Sequence, residues 1–248
     1  MKTAIIGNRI IALEETSSTN IYINNLASEQ NIKEGTVVWS HYQSEGKGNA
    51  GNKWHSSKGK NLTLSILFKP EFLEPADQFY ISKIVALSVK DFIELYLINT
   101  EIKWPNDIYV NNAKIAGILI ENSFIGQKFQ NSVTGIGINI NQTKFPKNIP
   151  NPTSLALETG QVFNLEECLS LLCSQAEKYY AALKDENFTL IDYNYINHLY
   201  QLDEFKNYKT PEGIIKAKIT QVKKTGEIIL KSTKGKEFSY GFKEIEYL

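Results

Sequence analysis

Several short segments of this chain concentrate residue types suited to a charged, partly planar substrate. Gln43-Ser44-Glu45-Gly46-Lys47-Gly48-Asn49-Ala50-Gly51-Asn52-Lys53-Trp54 combines glycines with two lysines and an indole. The glycines can expose backbone N–H groups to an anion, Lys47 and Lys53 add positive charge, and Trp54 offers a flat face for a ring. A nucleotide-binding loop and a mobile surface loop both fit that composition. It is not a Walker loop, because no Gly-Lys-Ser/Thr follows a strand at the required spacing.

Lys103-Trp104-Pro105-Asn106-Asp107 brings together a cation, a large aromatic, a rigid turn and two short polar side chains. Pro-Asn-Asp is also an ordinary turn, and Trp104 is equally suited to a core. In Lys114-Ile115-Ala116-Gly117-Ile118-Leu119-Ile120-Glu121 a lysine precedes an apolar strand, where a snorkelling side chain is the simplest explanation. Gly135-Ile136-Gly137-Ile138-Asn139-Ile140-Asn141 alternates small or polar residues with isoleucines. One face of that strand packs on a core, and the glycines leave space on the other for an extended ligand or a close helix.

The elements that must position these segments follow from periodicity and turn chemistry. Ile10–Leu13 is a short apolar stretch, and the hydroxyls of Thr16-Ser17-Ser18-Thr19 suit the N-cap of a helix through Ile21–Leu26. Thr36–Tyr42 and Leu62–Phe68 read as strands on either side of the glycine loop. Pro75 is expected in the first turn of a helix reaching toward Leu97, with Ile81, Ile84, Val85, Ser88 and Phe92 on one face. Asn111-Asn112 tolerates left-handed geometry and predicts a hairpin between Ile108–Val110 and Ile115–Ile120. Val133–Ile140 is a further strand, Asn164–Leu183 a helix, and Phe188–Tyr200 a weaker helical segment. Beyond Tyr208 the pattern changes to short strands, Ile214–Val222, Glu227–Lys231 and Glu237–Phe242, separated by Lys-Thr-Gly and Lys-Gly-Lys turns, as in a small β-barrel.

Bulk properties narrow the function. At 248 residues the chain suits one large domain plus a small one, and a domain of roughly 200 residues can bury a substantial core. Lys plus Arg and Asp plus Glu both total 27, so no long-range field gathers nucleic acid. No long apolar run predicts a membrane span, and residues 1–20 lack a basic segment followed by an apolar one, so a cytoplasmic protein is expected. Cys168 and Cys173 fall in one amphipathic helix and are expected to be buried thiols, while His41, His55 and His198 are too scattered for a metal site.

Each segment alone is ambiguous, but their order is specific, and together they closely resemble the biotin protein ligase family. The resemblance spans nearly the whole chain: Ser18-Thr19-Asn20, Gln43, the glycine loop ending at Trp54, Gly59-Lys60-Asn61-Leu62, Lys103–Asp107, Lys114–Glu121, Gly135–Asn141, Thr153-Ser154-Leu155 and the terminal strands. It implies an α+β architecture of the class II aminoacyl-tRNA synthetase type, a mixed sheet with packed helices over residues 1–200, followed by an SH3-like barrel over 201–248. It also implies ATP and biotin as substrates, Mg²⁺ to offset phosphate charge, and a biotin carboxyl carrier protein or domain as acceptor.

By the same resemblance, Lys114 is the catalytic cation beside the biotin carboxylate and the α-phosphate. Ser18, Thr19, Asn20, Gln43, Gly46, Lys47 and Gly48 belong to the biotin site, with Gly117 and Gly137 making room for the bicyclic body and chain. Lys47, Asn49, Lys53, Trp54, Asn106, Asp107 and Asn139 fall to the nucleotide. No metal ligand is assigned. The family loop commonly carries three arginines where this chain has Lys47, Asn49 and Asn52, which replaces the planar guanidinium fork by a point charge and two amides. Too few residues precede Ser18 for the DNA-binding module that some relatives carry, so the expected type is monofunctional, without DNA binding and with a homodimer as one possible assembly. A lipoate ligase-like acyltransferase and a biotin-responsive repressor are the competing readings.

Overall fold

Short β-branched runs pair into a seven-stranded mixed sheet. In the computed structural model, which describes residues 3–248, its order is β1 (Ile10–Leu13), β2 (Val37–Ser40), β3 (Leu62–Phe68), β7 (Lys128–Ile138), β6 (Ala113–Ile125), β5 (Asp107–Val110) and β4 (Thr100–Lys103). β1 and β2 are parallel and every other neighbouring pair is antiparallel. The β5–β6 hairpin turns where expected, with Asn111 at φ 49° and Asn112 at φ 64°.

The two faces of this sheet are covered unequally. Leu62, Leu64, Ile66 and Phe68 of β3, with Ile136 and Ile138 of β7, join the main core beneath α2 (Phe79–Ile93), α4 (Leu165–Lys184) and α5 (Phe188–Asn197). Because strand side chains alternate, Thr63, Ser65 and Leu67 turn to the opposite face. There, among the described helices, α1 (Thr19–Glu29) covers the sheet, packing on β2, β3 and β7 over a small core of Ile23, Ile32, Val38, Leu67 and Val133. The sheet surface beyond the N-terminal end of α1 is left to the site.

Several boundaries differ from expectation for local reasons. Pro75 opens a separate 3₁₀ turn, Pro75–Asp77, and α2 begins only at Phe79 and ends at Ile93. Its predicted buried face is present: Ile81, Ile84, Val85, Ser88 and Phe92 are all buried. Strand β4 and the helix α3 (Leu155–Thr159) have no strong pattern of their own. β4 is four residues of alternating burial, and α3 is held at its ends, by the Ser154 hydroxyl accepting from Leu157 N at 3.1 Å and by Gly160 at φ 72°. Cys168 and Cys173 lie within the helix over 165–184, buried and free as expected; burial pushes the Cys173 thiol up to about 12.

A second, five-stranded antiparallel sheet of SH3-like type follows, in the order β11 (Glu237–Tyr240), β10 (Ile228–Ser232), β9 (Gly213–Val222), β8 (Lys206–Thr210) and β12 (Glu246–Tyr247). It locks onto the first sheet through Lys103-Trp104-Pro105. The Trp104 indole N–H donates to the Gly226 carbonyl at 2.9 Å and its ring lies 5.3 Å from that of Phe242. The Tyr195 hydroxyl donates to the Pro105 carbonyl at 3.1 Å. Gly226, at φ 99°, approaches Phe79 so closely that a Cβ would sit 2.8 Å from its ring. Among the described residues no helix is long and apolar enough to cross a membrane.

Candidate active site

The face left open by α1 carries a cavity of about 270 Å³. Its walls come from distant parts of the chain: the N-terminal end of α1, the glycine loop, the Pro105–Asp107 turn, and the middle of β6 and β7. Of the residues expected at the site, Ser18, Thr19, Asn20, Gln43, Lys47, Gly48, Asn49, Lys53, Trp54, Asn106, Asp107, Lys114, Gly117 and Gly137 line it. Gly46 and Asn139 do not. Gly46 is instead a backbone contact: it accepts from Trp54 N at 2.8 Å, and a Cβ there would lie 2.5 Å from the Trp54 carbonyl. Asn139 lies in the core, donating to the Thr153 carbonyl at 2.9 Å, with its Oδ1 buried and unpartnered.

Lys114 is anchored by its backbone. Its N–H donates to the Asn151 carbonyl at 2.8 Å and its carbonyl accepts from Thr153 N at 2.9 Å, so the strand end cannot drift from the 151–153 segment. Its ammonium pairs with Asp107 at 2.6 Å, each side chain about a third exposed (31% and 30%). A half-solvated pair of this kind holds the cation at the cavity rather than in the core, and its partner is the last residue of the Lys103–Asp107 segment. Asn106 is committed to the sheet, its amide donating to the Ile118 carbonyl. Behind them Lys103 sits among the rings of Tyr109, Tyr200 and Tyr247, 4.8, 5.7 and 4.6 Å from their centroids. Burial lowers its pKa, against the opposing pull of Asp107.

The loop folds Trp54 back onto the sheet. A Cβ on Gly137 would lie 2.3 Å from the indole and one on Gly117 3.2 Å from it, so the ring rests directly on this glycine floor. At Gly135 a Cβ would meet the Asn20 amide at 2.5 Å. Of the two readings left open for the glycines of β7, close approach is the one present: Asn20 of α1 over Gly135 and Trp54 over Gly137 exclude a side chain there. The Trp54 N–H is buried without a partner. Lys47 and Lys53 bridge across the loop backbone, both with exposed side chains.

One wall is a connected set of polar groups. Thr19 N donates to Gln43 Oε1 at 2.7 Å; the hydroxyls of Thr19 and Ser65 are 2.7 Å apart; Ser65 lies 2.6 Å from Asn20 Oδ1; and Asn20 Nδ2 donates to Glu121 Oε2 at 2.8 Å. Ser65 was not singled out from the sequence. The available signal was the pair Thr63 and Ser65, polar at every second position of an otherwise apolar strand.

A sequence model described as the Biotin/lipoate A/B protein ligase family matches residues 12–139, which takes in every one of these cavity walls. The chain belongs to this family. It is 30% identical over 188 residues to the biotin–[acetyl-CoA-carboxylase] ligase of Paracoccus denitrificans, covering 72% of this chain and 76% of that one. It is also 29% identical over 239 residues to the bifunctional ligase/repressor BirA of Bacillus subtilis, covering 95% of this chain and 73% of the relative. Among solved structures, the biotin protein ligase from Aquifex aeolicus in complex with biotin and ATP superposes with a TM-score of 0.79 at 26% identity, covering 96% of this chain and 98% of that chain. That likeness extends over both sheets, and this family member therefore carries the complete two-sheet architecture expected from its sequence.

Proposed function

We propose that this chain is an ATP-dependent biotin protein ligase that makes biotinyl-5'-AMP in the cavity under the glycine loop and passes biotin to a lysine of a biotin carboxyl carrier protein or domain. The observation that carries the reading is the placement of Lys114 at a cavity whose opposite wall is polar and whose floor is glycine, in a chain of this family. In the first step a biotin carboxylate oxygen bonds to the α-phosphorus of ATP, the bond to the bridging oxygen breaks, and pyrophosphate leaves. In the second, a neutral lysine amine attacks the acyl carbon and AMP departs with the bond electrons. Lys114 supplies positive charge where negative charge accumulates in the first step. Ser18, Thr19 and Gln43 supply polar partners for the buried urea, which would otherwise lose hydrogen bonds.

Asp107 is the carboxylate lining this cavity, and no cluster of three or more metal-ligating side chains occurs among the described residues. Asp107, which also pairs with Lys114 at 2.6 Å, is the carboxylate here that would hold Mg²⁺. The ion would offset phosphate charge. We place the adenine near Trp54 and the phosphates near Lys47 and Lys53, and assign residues 1–200 to catalysis and 201–248 to the barrel.

The test is mass gain of a purified biotin carboxyl carrier domain, with lipoate in place of biotin as the comparison. Addition of one biotinyl group, dependent on ATP and biotin and absent with lipoate, is the expected result; no gain with biotin rejects the reading. A related prediction concerns the missing loop arginines. Asn49 is exposed at the cavity mouth, and Asn49→Arg should slow release of preformed biotinyl-AMP about fivefold, the worth of one partly solvated charged hydrogen bond. Rapid-quench release from wild type and variant measures this, and equal rates show that the lost guanidinium does not limit retention.

A further inference from the structure

We infer that Ser65, backed by Glu121 through Asn20, sets the direction of the hydrogen bonds that the cavity wall offers to biotin; this rests on the biotin-ligase reading. The argument is a count of protons. Asn20 Nδ2 points to the Glu121 carboxylate at 2.8 Å, and the reverse amide orientation would press Oδ1 against a carboxylate oxygen. Asn20 Oδ1 therefore faces Ser65 at 2.6 Å, and as an acceptor it requires the Ser65 proton. With its only proton used, Ser65 can only accept from Thr19 across their 2.7 Å contact. The Thr19 hydroxyl then has no proton left for the cavity or for Gln43 Oε1, 3.1 Å away, so toward the cavity that Thr19 lines it can only accept.

Gln43 is oriented by the same set. Its Oε1 receives the Thr19 backbone N–H at 2.7 Å, which leaves Nε2 as a donor. The wall thus presents one acceptor beside one donor pair, the complement of a urea with its N–H beside a C=O. Ser65, Thr19 and Asn20 are 0%, 2% and 3% exposed, so water cannot stand in for a lost partner. Both ends of the Asn20 side chain are taken by protein, which makes it a link in the chain of bonds rather than a ligand contact. Ser65 and Glu121 are positioning residues: they touch no substrate and act through Thr19.

Isothermal titration with d-biotin tests this on wild type, Ser65→Ala, Thr19→Ala and the double variant, each checked for a cooperative thermal transition. Ser65→Ala should weaken binding about tenfold, the cost of one oriented hydrogen bond. In the Thr19→Ala background the same change should cost less than about twofold, a coupling that a generally loosened strand would not produce. Should Ser65→Ala fail to fold, Glu121→Ala, at an exposed position, takes its place with an expected loss of about threefold and the same coupling to Thr19. Unchanged affinity, or losses that multiply in the double variant, overturns the inference while leaving the ligase reading intact. A wild-type chain that binds no biotin overturns both.

Discussion

Replacing Lys114 by alanine leaves a folded protein in which biotinyl-AMP formation falls about a hundredfold, roughly 3 kcal/mol of lost transition-state stabilisation. The fold should survive because the residue is held by its main chain, through Asn151 and Thr153, which alanine retains. The lost ion pair with Asp107 contributes little by itself, since both side chains are about a third exposed, at 31% and 30%. On the proposed mechanism the substitution removes the cation assigned to the reacting groups, and it leaves an Asp107 carboxylate without its partner. Loss of the cation opposes bringing a carboxylate to a triphosphate. Lys114→Arg keeps the charge on a differently shaped head and should lose less. ATP–pyrophosphate exchange with biotin, run beside circular dichroism, measures the effect; a folded Lys114→Ala protein with wild-type exchange removes the residue from the mechanism.

Trp104→Ala is expected to lower unfolding free energy by about 3–5 kcal/mol, the usual cost of emptying a buried aromatic site. Trp104 is 4% exposed and joins two sheets rather than filling one core: its N–H bonds the Gly226 carbonyl at 2.9 Å and its ring packs against Phe242. Lys103 shares that task, set among Tyr109, Tyr200 and the second sheet's Tyr247, while the Pro105 carbonyl is held by Tyr195 of α5. The turn that follows delivers Asn106 and Asp107 to the cavity, so loosening this junction should also displace the partner of Lys114. Urea unfolding followed by far-ultraviolet circular dichroism gives the stability change. A loss below about 1 kcal/mol would show that the two sheets do not depend on this indole.

Much of this protein was legible without coordinates. Strand Leu62–Phe68, the buried face of α2, the hairpin at Asn111-Asn112 and the helix expected over 164–183 all follow from local rules of periodicity and turn geometry. The family resemblance carried by segment order also named most of the cavity-lining residues, Gly46 and Asn139 excepted, because motifs carried on separate strands of one fold keep their sequence order. Elements whose stability comes from partners were not legible. β4 is a four-residue strand paired with β5, and β8, Lys-Asn-Tyr-Lys-Thr, is mostly polar and acquires its strand conformation from β9 and β12.

The same division holds at the site. Residue type alone was enough to mark Lys114 as a cation, Trp54 as a ring face and the glycines as places where a ligand or a neighbouring element can come near, since those properties travel with the side chain. Which groups meet is a property of the packed sheet. Only tertiary structure pairs Lys114 with Asp107, lays Trp54 on Gly137, sends Asn139 to Thr153 and stands Ser65 between Thr19 and Asn20. A hydroxyl in a strand has no preferred partner until a helix 46 residues away in sequence is placed over it, and with that contact the direction of its hydrogen bond is decided as well.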